Sequence, residues 1–132
     1  MHNYCNLCNE FAEILGANIL TSTNKLCVVT FRRNISATIL GRLTRSPLAL
    51  SALFSFENMD IQGRTLNLGE TVILEEEINP FISKLRDNGI LVTALHNHWL
   101  FEQPRLMYIH FESIDAPLSF ARKVADALNV LG

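Results

Sequence analysis

Several things are scarce in this 132-residue chain. No apolar run approaches the roughly 20 residues needed to span a bilayer, so a membrane-spanning helix is not expected. Neither sign of charge dominates: eleven Lys and Arg against thirteen Asp and Glu give a net charge of -2 and a pI near 6.0. That balance leaves no basic footprint for nucleic acid or an anionic membrane. Cysteine is limited to three residues, an odd number, and Met1-His2-Asn3-Tyr4-Cys5 carries neither a basic leader nor an apolar core. The expectation is a cytoplasmic protein with reduced thiols rather than a disulfide framework. No glycine-rich phosphate loop, Ser-His-Asp order or dinucleotide fingerprint is present.

What is abundant is apolar residue, 48% of the chain, with 18% charged. A chain of this length and composition buries one ordinary core, and a single domain over residues 1–132 is expected. Asn3 or Asn6 serves as the cap of a first helix with Leu7, Cys8, Phe11, Ile14 and Leu15 on one side, stopped at Gly16. Thr21 to Asn24 reads as a polar turn. Strands follow over Leu26 to Phe31, Ile35 to Leu40, Leu48 to Glu57 and Thr71 to Leu74, with a loop from Glu57 to Gly69. In the third of these, Leu48, Leu50, Ala52, Phe54 and Phe56 share a face.

Asn79 and Pro80 mark a helix start and Gly89 its end. Two strands, Ile90 to His98 and Arg105 to Ser113, then form a hairpin, and a last helix begins near Asp115 and Pro117. Neighbouring strands with short connections imply an α+β fold: a mainly antiparallel sheet with helices packed on one face.

The hairpin is where chemistry concentrates. His96, His98, Glu102 and His110 lie within fifteen residues and include three of the four histidines. Residues two apart on a strand point the same way. Pairing 98 with 108 and 96 with 110 would set all three rings on one face beside Tyr108 and Glu112, with Ile90, Val92 and Ala94 further along it. Met107, Ile109 and Phe111, with Leu91 and Leu95, would form the packing face. Three imidazoles and a carboxylate suit Zn, Fe, Mn or Ni.

The metal set is therefore His96, His98, His110 and Glu102, with Tyr108, Arg105 and Glu112 as ligand-binding candidates. The spacing is similar to the cupin metal pattern, although the remaining cupin features are missing. The competing reading makes these histidines hydrogen-bonded parts of a buried sheet face.

Other signals are weaker. Cys5-Asn6-Leu7-Cys8 has C-x-x-C spacing, but Cys8 reads as helix core, Cys5 as surface and Cys27 as strand packing. Glu75-Glu76-Glu77 reads as a solvated acidic cap or a source of a general base. Trp99, Leu100 and Phe101 are large for a turn and point to a covered ligand, packing or a second subunit.

The segment Gly69-Glu70-Thr71-Val72-Ile73-Leu74-Glu75-Glu76-Glu77-Ile78-Asn79-Pro80 and the later Thr93-Ala94-Leu95-His96-Asn97-His98, Pro104-Arg105 and His110-Phe111 resemble the LppY/LpqO family of bacterial proteins of unknown function. The resemblance places His96, Asn97, His98, Glu102, Pro104, Arg105 and His110 on the family motif without giving them roles. The namesakes are envelope lipoproteins, and the lipidation leader is not seen here. Three functions are compatible with these residues: a small-ligand or metal-binding protein, a hydrolase-like metal enzyme with Glu102 or Glu112 as base, and a noncatalytic homodimerising module.

Overall fold

Alternation governs the architecture. The computed structural model describes residues 4–132. In chain order it contains α1 (Tyr4–Leu15), β1 (Asn18–Ser22), β2 (Leu26–Arg32), β3 (Ala37–Ile39), β4 (Arg42–Thr44) and the short α2 (Pro47–Leu50). Then come β5 (Ser51–Glu57), β6 (Thr65–Leu74), a 3-10 turn (Glu75–Glu77), α3 (Ile78–Asp87), β7 (Leu91–His96), β8 (Glu102–Gln103), β9 (Leu106–Asp115) and α4 (Pro117–Leu128). Six strands form one antiparallel sheet in the order β1-β2-β5-β6-β9-β7, and β4-β3-β8 form a small second sheet. The fold is α+β.

Because side chains alternate across a strand, the large sheet carries two different cores. On one face Cys27, Val29, Phe54, Phe56, Ile73, Ile109 and Phe111 meet Cys8 and Phe11 of α1, Phe81 and Leu85 of α3, and Phe120 and Val124 of α4. Phe11, Phe54, Phe56, Phe81, Phe111 and Phe120 are all fully buried, each contributing about 1.5–3 kcal/mol by burial. Some of their rings meet edge to face, as with Phe11 and Phe56 at 4.9 Å and Phe81 and Phe111 at 5.7 Å between centroids, while Phe11 and Phe120 are stacked. Gly69 lies between Phe54 and Phe111 in register, and a β-carbon there would overlap the Phe111 ring. Glycine at this point is a packing requirement.

On the other face Ile35, Ala37, Ala49 and Leu50, from the small sheet and its flanks, cover Val72, Leu106 and Tyr108. That cover is partial. Val28, Leu53, Ser55, Leu68, Glu70 and His110 line an open groove beyond it.

Several sequence expectations change. The helices do cover one face, except α2, which starts where Leu48 to Leu50 were expected to be strand. Ser46 caps it by accepting from Leu48 N at 3.1 Å, with Pro47 at its first position, a combination that favours a helical turn. Residues 18–22 are a strand rather than the approach to a turn, and the loop expected from Glu57 to Gly69 is limited to residues 58–64, its remainder being the first half of β6. The strand expected over Ile35 to Leu40 is the shorter β3 of the small sheet. Asn6 lies inside α1, and Asn3 falls outside the described residues. Asn79 and Pro80 lie inside α3, which continues directly from the 3-10 turn.

The cysteine expectation is overturned. Cys8 and Cys27 form a disulfide between α1 and β2, with Cα atoms 5.6 Å apart, while Cys5 is free and exposed. Their fully buried positions suited packing and bonding equally, and sequence alone does not reveal that α1 lies on β2. In the acidic run Glu75 and Glu76 are exposed, as a solvated cap implies, and Glu77 departs from it. Glu77 is buried and receives both guanidinium nitrogens of Arg33 at 2.8 Å, as well as Leu74 N and Gly132 N at 2.9 Å. Burial pushes the Glu77 carboxyl up, but these donors and the Arg33 charge outweigh it and hold the group below the ordinary carboxylate value. Among the described residues no helix is long and apolar enough to cross a membrane.

Candidate metal centre

The site forms where β7 and β9 end their pairing. His96 opposes Tyr108 and Ala94 opposes His110, so the register is displaced by two from the expected pairing of 96 with 110. An even displacement preserves parity. His96 and His110 consequently remain on one face as diagonal neighbours, and their ring centroids are 4.9 Å apart. His98, just past the end of β7, stacks on the Tyr108 ring at 4.1 Å with 9° between planes and lies 4.7 Å from His96. One ligand atom from each of His96, His98 and His110 falls within 4.8 Å of the others. Three neutral nitrogen donors at that spacing suit a divalent transition ion.

Thr93 breaks the parity lower in the strand. It has no partner in the ladder, and Val92 pairs with Phe111 instead. Its hydroxyl donates to His110 O at 3.3 Å. Val92 packs against the helix-side core and Ile90 is buried in it, so neither lies on the histidine face as expected. Leu91 and Leu95, expected to pack, are 54% and 40% exposed at this sheet edge.

His110 has the most informative surroundings. Its Nδ1 lies 3.5 Å from Glu70 Oε2, across the β6–β9 ladder where the two residues are paired. Its Nε2 is buried and has no hydrogen-bond partner. A carboxylate beside one ring nitrogen favours a proton there and leaves a lone pair on the other, as behind many metal-bound histidines. Buried polar atoms are seldom left unpaired, and a bound cation is a partner that would satisfy this one. Burial and the neighbouring His96 hold His98 below the ordinary imidazole value, with Glu70 opposing and His110 adding to the shift. The neutral ring needed for coordination is thereby favoured.

The remaining candidates separate. Glu102 lies in β8, paired with Ile39 in the small sheet, outside the three-histidine group; its Oε2 is buried and unpartnered. Tyr108 is buried, its hydroxyl donating to Ala49 O and accepting from Trp99 Nε1, both at 2.8 Å. Burial pushes its phenol up to about 12, the Trp99 bond opposing and Glu102 adding. The Tyr108 ring serves as a wall behind His98. Arg105 is exposed and makes no ion pair within the described residues. Glu112 is on the histidine face of β9, between Leu68 and Leu91 in register.

Glu70 is the residue that sequence reasoning missed as part of the site. It fell between the loop expected to end at Gly69 and the strand expected from Thr71, and its proximity to His110 depends on the β6–β9 pairing.

A family model described as Domain of Unknown Function (DUF1259) matches residues 9–130. The chain belongs to this family. The match takes in every residue of the centre, so the three histidines and Glu70 are part of the family domain. The family description carries no activity with it. No curated protein and no solved structure matches the chain.

Proposed function

We propose that this DUF1259 member binds a divalent transition metal through His96, His98 and His110, with Glu70 as a positioning residue behind His110. The convergence of one ligand atom from each of three imidazoles within 4.8 Å carries the reading, supported by the buried, unpartnered Nε2 of His110 and by the Glu70 carboxylate 3.5 Å from its Nδ1. Three histidines leave coordination positions for water or a ligand, and the ion would supply Lewis acidity there. Zn, Fe, Mn and Ni all accept this donor set. Glu102, paired with Ile39 in the small sheet, is left out of the proposed set.

Binding is preferred to hydrolysis as the primary role. The carboxylate nearest the rings, Glu70, is engaged with His110 rather than free to act as a base. Kinship with the LppY/LpqO proteins remains part of the proposal, resting on the Thr-Ala-Leu-His-Asn-His stretch and its companions. The cysteine argument for the cytoplasm is gone, and the Cys8–Cys27 bond favours an oxidising compartment.

The test is metal content of untagged protein, measured together with isothermal titration of Zn²⁺ into the chelator-treated form. One ion per chain, lost on H96A and on H110A with the fold intact, is expected; no uptake overturns the reading. A homodimer is a second reading, favoured by the exposed Leu40, Leu100 and Phe101, where Leu40 N donates to Phe101 O at 3.1 Å. Sedimentation equilibrium would show a concentration-dependent mass lost in F101S.

A further inference from the structure

His110 stands at one end of the groove on the uncovered half of the sheet, and His96 and His98 cluster with it. The two features share His110 and Glu70 as walls, and Val28, Leu53, Ser55 and Leu68 continue the surface away from the rings. The groove has a volume of about 280 Å³, near the lower end of ligand pockets, roughly 300–1,000 Å³. It suits a small, slender molecule. Val28, Leu53 and Leu68 give it an aliphatic stretch, with Ser55, Glu70 and His110 as its polar members, and Leu68 is 38% exposed.

Charge sets the other end of the ligand. A divalent ion held by three neutral imidazoles keeps its full charge, and Glu70 offsets one unit. Glu112 is two residues further along β9, roughly 7 Å away. One positive charge is left at the metal, next to an apolar channel. From Leu53 on β5 to His110 on β9 is two strand spacings, roughly 10 Å.

Resting on the metal reading above, we propose that the groove and the centre form one ligand site for an aliphatic monocarboxylate. The carboxylate completes the metal's coordination, and a chain of six to eight carbons lies over Leu68 and Leu53 toward Val28. Glu70 has two consequences here: it orients His110, and its charge disfavours dianionic heads.

The experiment uses untagged protein loaded with Co²⁺, whose visible absorption reports its coordination. Octanoate, acetate and octan-1-ol are titrated in turn. The expected result is a saturable spectral change with octanoate at a concentration at least tenfold lower than with acetate, since each fully buried methylene is worth roughly fourfold. Octan-1-ol should not produce the carboxylate's spectrum. Leu68→Gln, at an exposed position, should take up Co²⁺ with an unaltered starting spectrum and weaken octanoate by about fivefold or more. Leu53→Gln should do the same, with circular dichroism to verify its fold. Equal potency of acetate and octanoate, or no effect of either variant in folded protein, would overturn the ligand assignment while leaving the metal centre standing. Failure of the protein to take up Co²⁺ would overturn both.

Discussion

The two faces of the large sheet differ in how completely they are finished. Under α1, α3 and α4 lies a closed phenylalanine core, stapled by Cys8–Cys27. The opposite face is covered only in part, by the small sheet over Val72, Leu106 and Tyr108. Beyond that cover are the groove, three clustered imidazoles and a buried nitrogen without a partner. Strand alternation allows this division, because neighbouring residues of β9 serve opposite sides: Ile109 and Phe111 stabilise while His110 stays available. Stability and binding should therefore respond to different substitutions along the same strands.

The largest expected effect tests the stabilising side at its polar edge. Glu77→Gln should cost about 3–5 kcal/mol in denaturant unfolding, since it leaves Arg33 buried without its counter-charge. Joint replacement of Arg33 by Met and Glu77 by Leu should recover most of that loss. The pair also gives the acid limb a definite sign. A carboxyl held below its unfolded value contributes stability that is present above about pH 4.3 and lost as pH falls through the lower folded value. Wild-type stability should thus decline below that pH, and Glu77→Gln should flatten the decline. A variant with an unchanged acid limb would move the effect to other groups such as Asp115, whose carboxyl is raised by burial but brought below normal by Lys123 and its other donors.

Next in size is the disulfide. Its ends are 19 residues apart, a loop for which closure entropy gives about 3 kcal/mol. Reduction, or Cys27→Ala, should lower stability by that amount in calorimetry and leave metal affinity within twofold. A large loss of metal on reduction would break the separation between the faces.

On the open side, metal at a hundredfold excess over its dissociation constant should raise stability by about 2.7 kcal/mol. The gain should vanish in His96→Ala, whose chelator-treated form should unfold within about 0.5 kcal/mol of wild type, as surface changes generally do. Smallest in unfolding but sharpest for mechanism is Glu70→Gln. It should weaken metal 10–100-fold, the usual consequence of losing a partner behind a metal-bound histidine. An unchanged affinity would remove Glu70 from the site.

How much of this was readable depended on whether the information was local. The buried row Ala52, Phe54 and Phe56 followed from alternation alone, as did the histidine cluster from its spacing. The first half of β6 did not, because Asn67 and Gly69 look like a loop until Phe111 is known to lie over the glycine. Glu70 beside His110, Arg33 on Glu77 and Cys8 on Cys27 all join segments distant in sequence. Glu102 was grouped with the histidines by spacing, whereas the fold seats it in a two-residue strand of another sheet. The hairpin register was displaced by two residues without loss of the site, since only an odd displacement would have turned the rings to opposite sides.

Thr93 has a further consequence. By occupying one place without a ladder partner, it changes the phase of β7 midway, so that Val92 faces inward with Phe111 while Ala94 and His96 share the side of His110. The strand works as a crossover rail: its lower half is fastened to the interior and its upper half presents chemistry outside. Drawing Thr93 into regular pairing would put both halves in one phase and force a choice, either an imidazole in the hydrocarbon interior or a valine on the rim.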